Sequence, residues 1–332
     1  MKKVLSLLFA CVLAVAGIGC ADKEGGGTSA KLKIFAPDGA PAFALSGLMT
    51  GDTYDFEIVP ASTIGQKITT EAADLLIIPT NAVVNLYNKG KDYRIIAEAT
   101  RGNLFVVGRS DDETLSLNSL LGKTVGVIGQ GQTPDLVFRY ILQQNDIEIA
   151  DNATAGKIAL RYFADGPAVI QSIVAGQIDF GVLGEPAATN ATKKVTGAKT
   201  LDVQALYRDA AAGNSYGFPQ AVLAVKNAVY TARKAEVDAF VDAFVAAKTY
   251  AVENPAAAVE RVKANVTEGT EASIQSLTAD VAGRCNIANA KITAASKADI
   301  TAYIQMILDL ESGADVSSVG GKQPNEAIYI LA

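Results

Sequence analysis

Histidine is absent from this 332-residue chain. That removes histidine triads, histidine general bases and the commonest metal ligand in one step. Cysteine is scarce, with Cys11, Cys20 and Cys285 as the three present. Cys11 lies inside an apolar N-terminal run and Cys20 closes it, which leaves Cys285 as the one thiol in the body of the chain. No disulfide framework and no cysteine-built metal site can form within one processed chain. Basic residues make no run longer than two and the net charge is −6, so nucleic acid is not an expected partner. Beyond the N-terminal segment no stretch is long and apolar enough to span a bilayer. What is present, 49% hydrophobic and 19% charged residues, describes a globular chain with length enough for two domains.

The N-terminus reads as a processing segment. Lys2-Lys3 supply a positive start, and Val4 to Ile18 a short apolar run too brief for a comfortable membrane span. Small residues at Gly17 and Gly19 precede Cys20, and a polar, glycine-rich tether follows over residues 21–30. This pattern resembles the lipobox of bacterial lipoproteins. The resemblance implies a signal peptide over residues 1–20, with Cys20 lipidated as the mature N-terminus; a plain secretory signal is the alternative. The body is then expected at the outer face of a bacterial membrane, in the periplasm or on the cell surface, held only by the lipid.

The stretch around which the body is organised is Thr124 to Asn145. Thr124-Val-Gly-Val-Ile128 reads as a buried strand, Gly129-Gln-Gly-Gln132 as a tight turn, and the remainder as a helix. Thr133 is the expected N-cap, Pro134 suits the first helical position, and Asp135 suits the positive end of the helix dipole. The unit aims a helix N-terminus beyond the carboxyl end of a strand, where open α/β sheets bind ligands. The glycines match only the first two of a dinucleotide fingerprint. Pro134 takes the place of the third, so no dinucleotide cofactor is expected.

The same strand–turn–helix device recurs. Strands are expected at Lys31 to Phe35, Tyr54 to Val59, Asp74 to Ile78, Tyr93 to Ala97, Leu104 to Val107, Ile158 to Phe163, Ile178 to Leu183, Leu201 to Leu206 and Phe218 to Val225. A brief helix is expected over residues 64–70, and everything beyond the last strand is expected to be helical. The alternation of strands and helices over residues 31–207 argues for parallel βα units, hence an α/β fold. Asp74-Leu-Leu-Ile-Ile-Pro79 echoes Asp179-Phe-Gly-Val-Leu-Gly-Glu-Pro186, each with an aspartate opening a buried strand and a proline starting the next helix. Two lobes of related design would aim their strand ends at a shared cleft, a favoured place for a ligand. The lobes are expected over residues 31–107 with 223–332, and over residues 108–222.

Proline stands at or near five helix starts, at positions 41, 79, 134, 167 and 186. Around these turns and the neighbouring loops lie the candidate ligand contacts: Asp38, Pro79, Thr80, Asn81, Arg101, Asn103, Gln130, Gln132, Thr133, Glu185, Tyr216 and Gln220. The set is polar, mostly neutral, and built of amides and hydroxyls that could orient a small polar ligand against helix N-termini. It has no nucleophile with a base beside it, so no catalytic residue is expected. Each candidate also has a plain structural role open to it. Asp38 could cap a helix, Glu185 could neighbour a cap, Arg101 could be a solvated surface residue, and Tyr216 with Phe218 could be packing.

Taken together, Asp74-Leu-Leu-Ile-Ile-Pro-Thr-Asn81, Leu121-Gly-Lys-Thr-Val-Gly-Val127 with its Gly-Gln-Gly-Gln turn, and Gly176 to Pro186 resemble the type II periplasmic substrate-binding proteins of ABC importers. More narrowly they resemble the group that binds nitrate, taurine, alkanesulfonates or the pyrimidine precursor of thiamine. The resemblance implies two lobes closing on a two-stranded hinge, here Leu104 to Gly108 and Phe218 to Val225. It implies a monomer that needs no cofactor, takes a small-molecule ligand and passes it to an ABC permease. With Arg101 the one cation near the expected cleft and Asp38 and Glu185 also close, a neutral or amine-bearing molecule such as a nitrogen heterocycle is expected. An organic or inorganic anion is the alternative ligand. An extracellular enzyme using Asp38 and Glu185, or a ligand sensor, is the alternative function.

Overall fold

The computed structural model describes residues 30–60, 63, 64, 68, 70, 72–211, 217–266, 277–312 and 317–332. Cys20, Tyr216, the signal segment, nearly all of the tether and most of the helix expected over 64–70 lie outside the described residues.

From Leu32 to the C-terminus the chain forms one compact unit. It contains two six-stranded sheets. The strands are β1 (Lys33–Pro37), β2 (Asp55–Val59), β3 (Leu75–Pro79), β4 (Tyr93–Arg101), β5 (Leu104–Arg109), β6 (Thr124–Ile128), β7 (Ile149–Ala150), β8 (Ile158–Phe163), β9 (Phe180–Gly184), β10 (Ala198–Asp202), β11 (Pro219–Lys226) and β12 (Ile287–Lys291). The helices are α1 (Ala40–Ala44), α2 (Thr80–Asn88), α3 (Thr133–Gln144), α4 (Gly166–Val174), α5 (Ala187–Lys194), α6 (Val203–Ala210), α7 (Asn227–Ala232), α8 (Lys234–Glu253), α9 (Pro255–Ala264), α10 (Ala279–Ala282) and α11 (Ala294–Leu310).

The first sheet runs β12-β4-β11-β3-β1-β2 and the second β10-β5-β9-β6-β8-β7. Their designs match. In each, a parallel trio (β2-β1-β3, and β8-β6-β9) is followed by one antiparallel strand, β11 or β5. The echo seen in the sequence is therefore structural, because β3 and β9 occupy the same place. It extends to the side chains. Asp74 Oδ2 accepts the Lys33 N–H at 3.0 Å and Asp179 Oδ2 accepts the Thr124 N–H at 2.8 Å, so each aspartate ties down the first residue of the neighbouring strand. β3 and β9 are buried on both faces, as parallel strands covered by helices require.

The chain passes between sheets twice. β4 ends at Arg101 in the first sheet and β5 starts at Leu104 in the second, with Gly102 and Asn103 between them. The return runs from α6 to β11. The two passages are bonded together, with the Gly102 N–H donating to the Phe218 carbonyl at 3.0 Å. All of β5 pairs in the second sheet and all of β11 in the first, so the pairings change over a few residues earlier than 107/108 and 222/223. Hydrophobic runs alone cannot locate such a change, since the middles of both strands, Leu104 to Val107 and Ala221 to Val225, are equally apolar.

Two expected elements differ. The strand over Leu201 to Leu206 stops at Asp202, whose carboxylate accepts the Gln204 and Ala205 N–H groups and starts α6. The C-terminal region also contains a strand, β12, which pairs antiparallel with β4. Its sequence, Ile-Ala-Asn-Ala-Lys, has too little β-branched character to announce itself. The tail docks as its apolar residues suggest, with Ile328 buried and the Ile330 N–H bonded to the Ile95 carbonyl at 2.9 Å.

One hydrophobic core runs through both sheets. It joins Leu76, Ile78 and Val222 of the first to Leu104, Val125 and Val182 of the second, by way of α3 and α11. Phe218 sits at its waist, edge-on to Tyr207 at 5.3 Å and stacked with Tyr303 of α11 at 6.3 Å. A second core lies beneath α8 and α9 against the first sheet, and a third beneath α4 and α5 in the second. Among the described residues no helix is long and apolar enough to cross a membrane.

Candidate functional site

Parallel βα units place each helix start just past the carboxyl end of a strand. Here α2 follows β3 and α3 follows the turn after β6, and the two starts meet across the sheets. The Thr133 hydroxyl donates to Asn81 Oδ1 at 3.2 Å. Neither helix has a side-chain cap, because Pro79 and Gln132 stand at the cap positions and make no capping bond. Thr133 is thus the first residue of α3 rather than its cap, and its hydroxyl reaches the other sheet. Thr80 is fully buried, and its Oγ1 has no partner among the described residues. Uncapped N–H groups and an unpaired hydroxyl in one buried place favour a ligand with acceptor atoms.

The Gly129–Gln132 turn above α3 is built for display. Gly129 and Gly131 have φ of 60° and 73°, a region that favours glycine. Gln130 and Gln132 are exposed on it. From below, Asp135 holds the turn. Its Oδ2 accepts the Gly131 N–H at 2.8 Å, its Oδ1 accepts the Tyr162 hydroxyl at 2.8 Å, and the Arg139 guanidinium lies 3.7 Å away. Burial, aided by the Asp135 charge, pushes the Tyr162 hydroxyl well above its ordinary pKa, so it remains a donor.

Asn103, Gln220 and Glu185 meet at the first passage between the sheets. The Asn103 N–H donates to Gln220 Oε1 at 2.9 Å, and the Glu185 N–H donates to the Asn103 carbonyl at 3.2 Å. Asn103 is buried and its Oδ1 has no partner among the described residues. The Glu185 carboxylate is fully enclosed. It accepts the Thr189 N–H at 3.1 Å and hydroxyl at 3.2 Å, and it pairs with the Arg284 Nε at 2.7 Å. Asp38 is half-buried at the end of β1, beside the turn that starts α1; Gly39, not Asp38, takes the cap position there.

Arg101 is not a solvated surface residue. It is buried, bonded to Glu98 at 2.7 Å and to Asp299 of α11 at 3.1 Å, and donates to the Gly217 carbonyl at 3.1 Å. It braces the passages between the sheets. Burial pushes the Glu98 carboxyl above its usual range, and Arg101 draws it partly back. Of the candidates, then, Pro79, Thr80, Asn81 and Thr133 converge at the helix starts with Gln130 and Gln132 above them. Asn103, Glu185 and Gln220 form a second group, while Arg101 serves the frame.

Sequence reasoning missed Arg284, Phe105 and Asp299. Arg284 follows α10, 99 positions from Glu185, in a segment with no periodic signal. Cys285 beside it is fully buried, and burial together with the nearby Glu185 charge pushes its thiol well up. The native chain should therefore resist a disulfide reagent at Cys285, as read by peptide mass, until urea unfolds it. Labelling at the rate of an exposed thiol in buffer would contradict this burial. Among the described residues no cluster of three or more acidic or cysteine side chains could hold a metal ion.

Known proteins share this architecture. An ABC transporter structure from Parabacteroides distasonis superposes with a TM-score of 0.70 at 22% identity, covering 90% of this chain and 98% of that one. The periplasmic aliphatic sulphonate binding protein SsuA of Escherichia coli gives 0.63 at 12% identity, covering 89% of this chain and 92% of that one. The alkanesulfonate-binding protein SsuA of Xanthomonas axonopodis pv. citri, bound to MOPS, gives 0.60 at 12% identity, covering 92% and 99%. At these identities the likeness establishes the periplasmic-binding-protein fold. No curated protein matches in sequence. The sequence model of the NMT1-like family matches residues 86–266, more than half of the chain, and the chain belongs to the NMT1-like family.

Proposed function

We propose that this chain is the solute-binding component of an ABC importer. It captures a small polar organic molecule between two lobes and delivers it to a permease. The first lobe carries the sheet ending at Arg101 and resumed at Pro219, and the second lobe the sheet from Leu104 to Asp202. Cys20 carries the lipid that holds the body at the outer face of the membrane. The observation that supports this reading best is the meeting of two uncapped helix starts across the sheets, at Asn81 and Thr133, beside the unpartnered Thr80 hydroxyl.

Capture follows from that geometry. The first-turn N–H groups of α2 and α3 donate to acceptor oxygens of the solute, and the Thr80 hydroxyl adds a donor. Gln130 and Gln132 close over it with amides that both donate and accept. Because the donors come from both lobes, the solute binds the closed form better than the open one and draws the equilibrium toward it. A nitrogen heterocycle bearing ring carbonyls and an organic sulfonate both present suitable acceptors. Catalysis is not part of the proposal. Glu185 is enclosed and paired with Arg284, so it is not available as an acid or base.

Native mass spectrometry of the protein purified from cells grown in rich medium tests the reading. A discrete added mass that disappears on denaturation is expected, and its value separates a heterocycle from a sulfonate or nitrate. A bare mass, together with no rise in melting temperature across a panel of both solute classes, would overturn it.

A further inference from the structure

Arg284 belongs to the first lobe by its packing and to the second by its contacts. The segment around it is built into the core beneath α8 and α9, through Leu277, Val281, Ala282 and Cys285. Its guanidinium nevertheless reaches across. Nε meets Glu185 Oε1 at 2.7 Å, and the group lies over the Phe105 ring at 4.3 Å from its centre. Phe105 is on β5 and Glu185 follows β9, both in the second sheet. The approach is supported nearby, where a Cβ built on Gly39 at the end of β1 would lie 3.5 Å from Pro186 Cδ.

From this we infer that Arg284 is a clasp between the lobes: it fixes how long a captured solute stays by holding the closed form, without touching the solute. The inference rests on the solute-capture reading above. Its physical basis is the contrast between the two partners. The Glu185 side chain has no exposure, whereas Arg284 is 39% exposed. The other bonds of the Glu185 carboxylate, to Thr189, are local to α5 and survive opening. Among the described residues, only its counter-charge comes from the other lobe. Closing brings the arginine to a carboxylate already oriented, and its flat face to an aromatic ring of matching shape. Opening separates the charge pair and returns Arg284 to water. Lysine could supply the charge but neither the planar stack nor the directed Nε bond.

Hydrogen exchange followed by mass spectrometry on the full chain, without added solute, tests the clasp in Arg284→Gln and Arg284→Lys. In Arg284→Gln, peptides facing across the lobes (residues 38–45, 131–137 and 185–190) should exchange about 5- to 150-fold faster, the span of ordinary coupling free energies. Peptides from β3 and β11 inside the first lobe should be unchanged. Arg284→Lys should fall between Arg284→Gln and wild type. Faster exchange throughout β3 and β11 would mean that Arg284 merely stabilises the first lobe and would overturn the clasp, as would unchanged exchange everywhere. The experiment needs no solute, so failure of the clasp and failure of solute capture are separately visible.

Discussion

Phe218→Ala should lower the stability of the whole chain by about 3–5 kcal/mol, the usual cost of truncating a buried phenylalanine. It should also separate the unfolding of the two sheets. Phe218 is fully buried at the waist of the core that runs through both sheets. It is the ring on which Tyr207 of α6 and Tyr303 of α11 both pack. It also fills the space over Gly102, where a built Cβ would fall 2.3 Å from its Cε1. Removing it empties the junction from both sides, and a cavity between two bodies cannot collapse without moving one of them. Urea unfolding followed by both fluorescence and far-UV circular dichroism measures the effect. Wild type should give coincident transitions, because the core shared by the two sheets makes them one cooperative body. The variant should unfold earlier, with transitions that no longer coincide. A change below about 1 kcal/mol with coincident transitions would mean that the waist does not couple the two sheets.

The waist also explains which parts of the fold were legible from the residues. Asp74 and Asp179 could be paired from sequence because each opens a buried strand with the same short-range pattern, and the same bond to the neighbouring strand gives that pattern its reason. The starts of α2 and α3 were legible for a similar cause, to within the one position by which Thr133 misses the cap, since a helix start is written locally by proline, threonine and asparagine next to an apolar run. The clasp was not legible. Arg284 meets Glu185 only because β12 returns to the first sheet alongside β4, a long-range pairing that leaves no periodic mark. Arg101 misled for the opposite reason. An arginine in a short polar loop has the composition of a surface residue, but Asp299 comes from α11, nearly two hundred positions away, and burial follows from that meeting. Local chemistry marks where a site can be, and tertiary return strands decide which charges remain open to a solute.

Asp135 should be as consequential for capture as Phe218 is for stability. Its carboxylate is fully buried and holds the display turn to α3 by the Gly131 N–H and the Tyr162 hydroxyl. Asp135→Ala deletes two bonds to a charged acceptor, each worth about 1.5–3 kcal/mol, and leaves a turn N–H without a partner. A loss of at least about 3 kcal/mol in stability is expected, with the bound solute lost as well because Gln130 and Gln132 are no longer held over the helix starts. Asp135→Asn separates the two effects. The amide oxygen can keep the Gly131 N–H while its NH₂ donates to Tyr162, whose hydroxyl rotates to accept. Asn should therefore cost about 1 kcal/mol and retain the turn and the solute. Urea midpoints give the stability of both variants, and native mass spectra give their solute occupancy. If Asp135→Ala keeps its solute at wild-type occupancy, the turn does not contribute to capture and the donors are those of the helix starts alone. If Asn fails as badly as Ala, the negative charge itself is required, which would make the 3.7 Å approach of Arg139 matter more than the two shorter bonds.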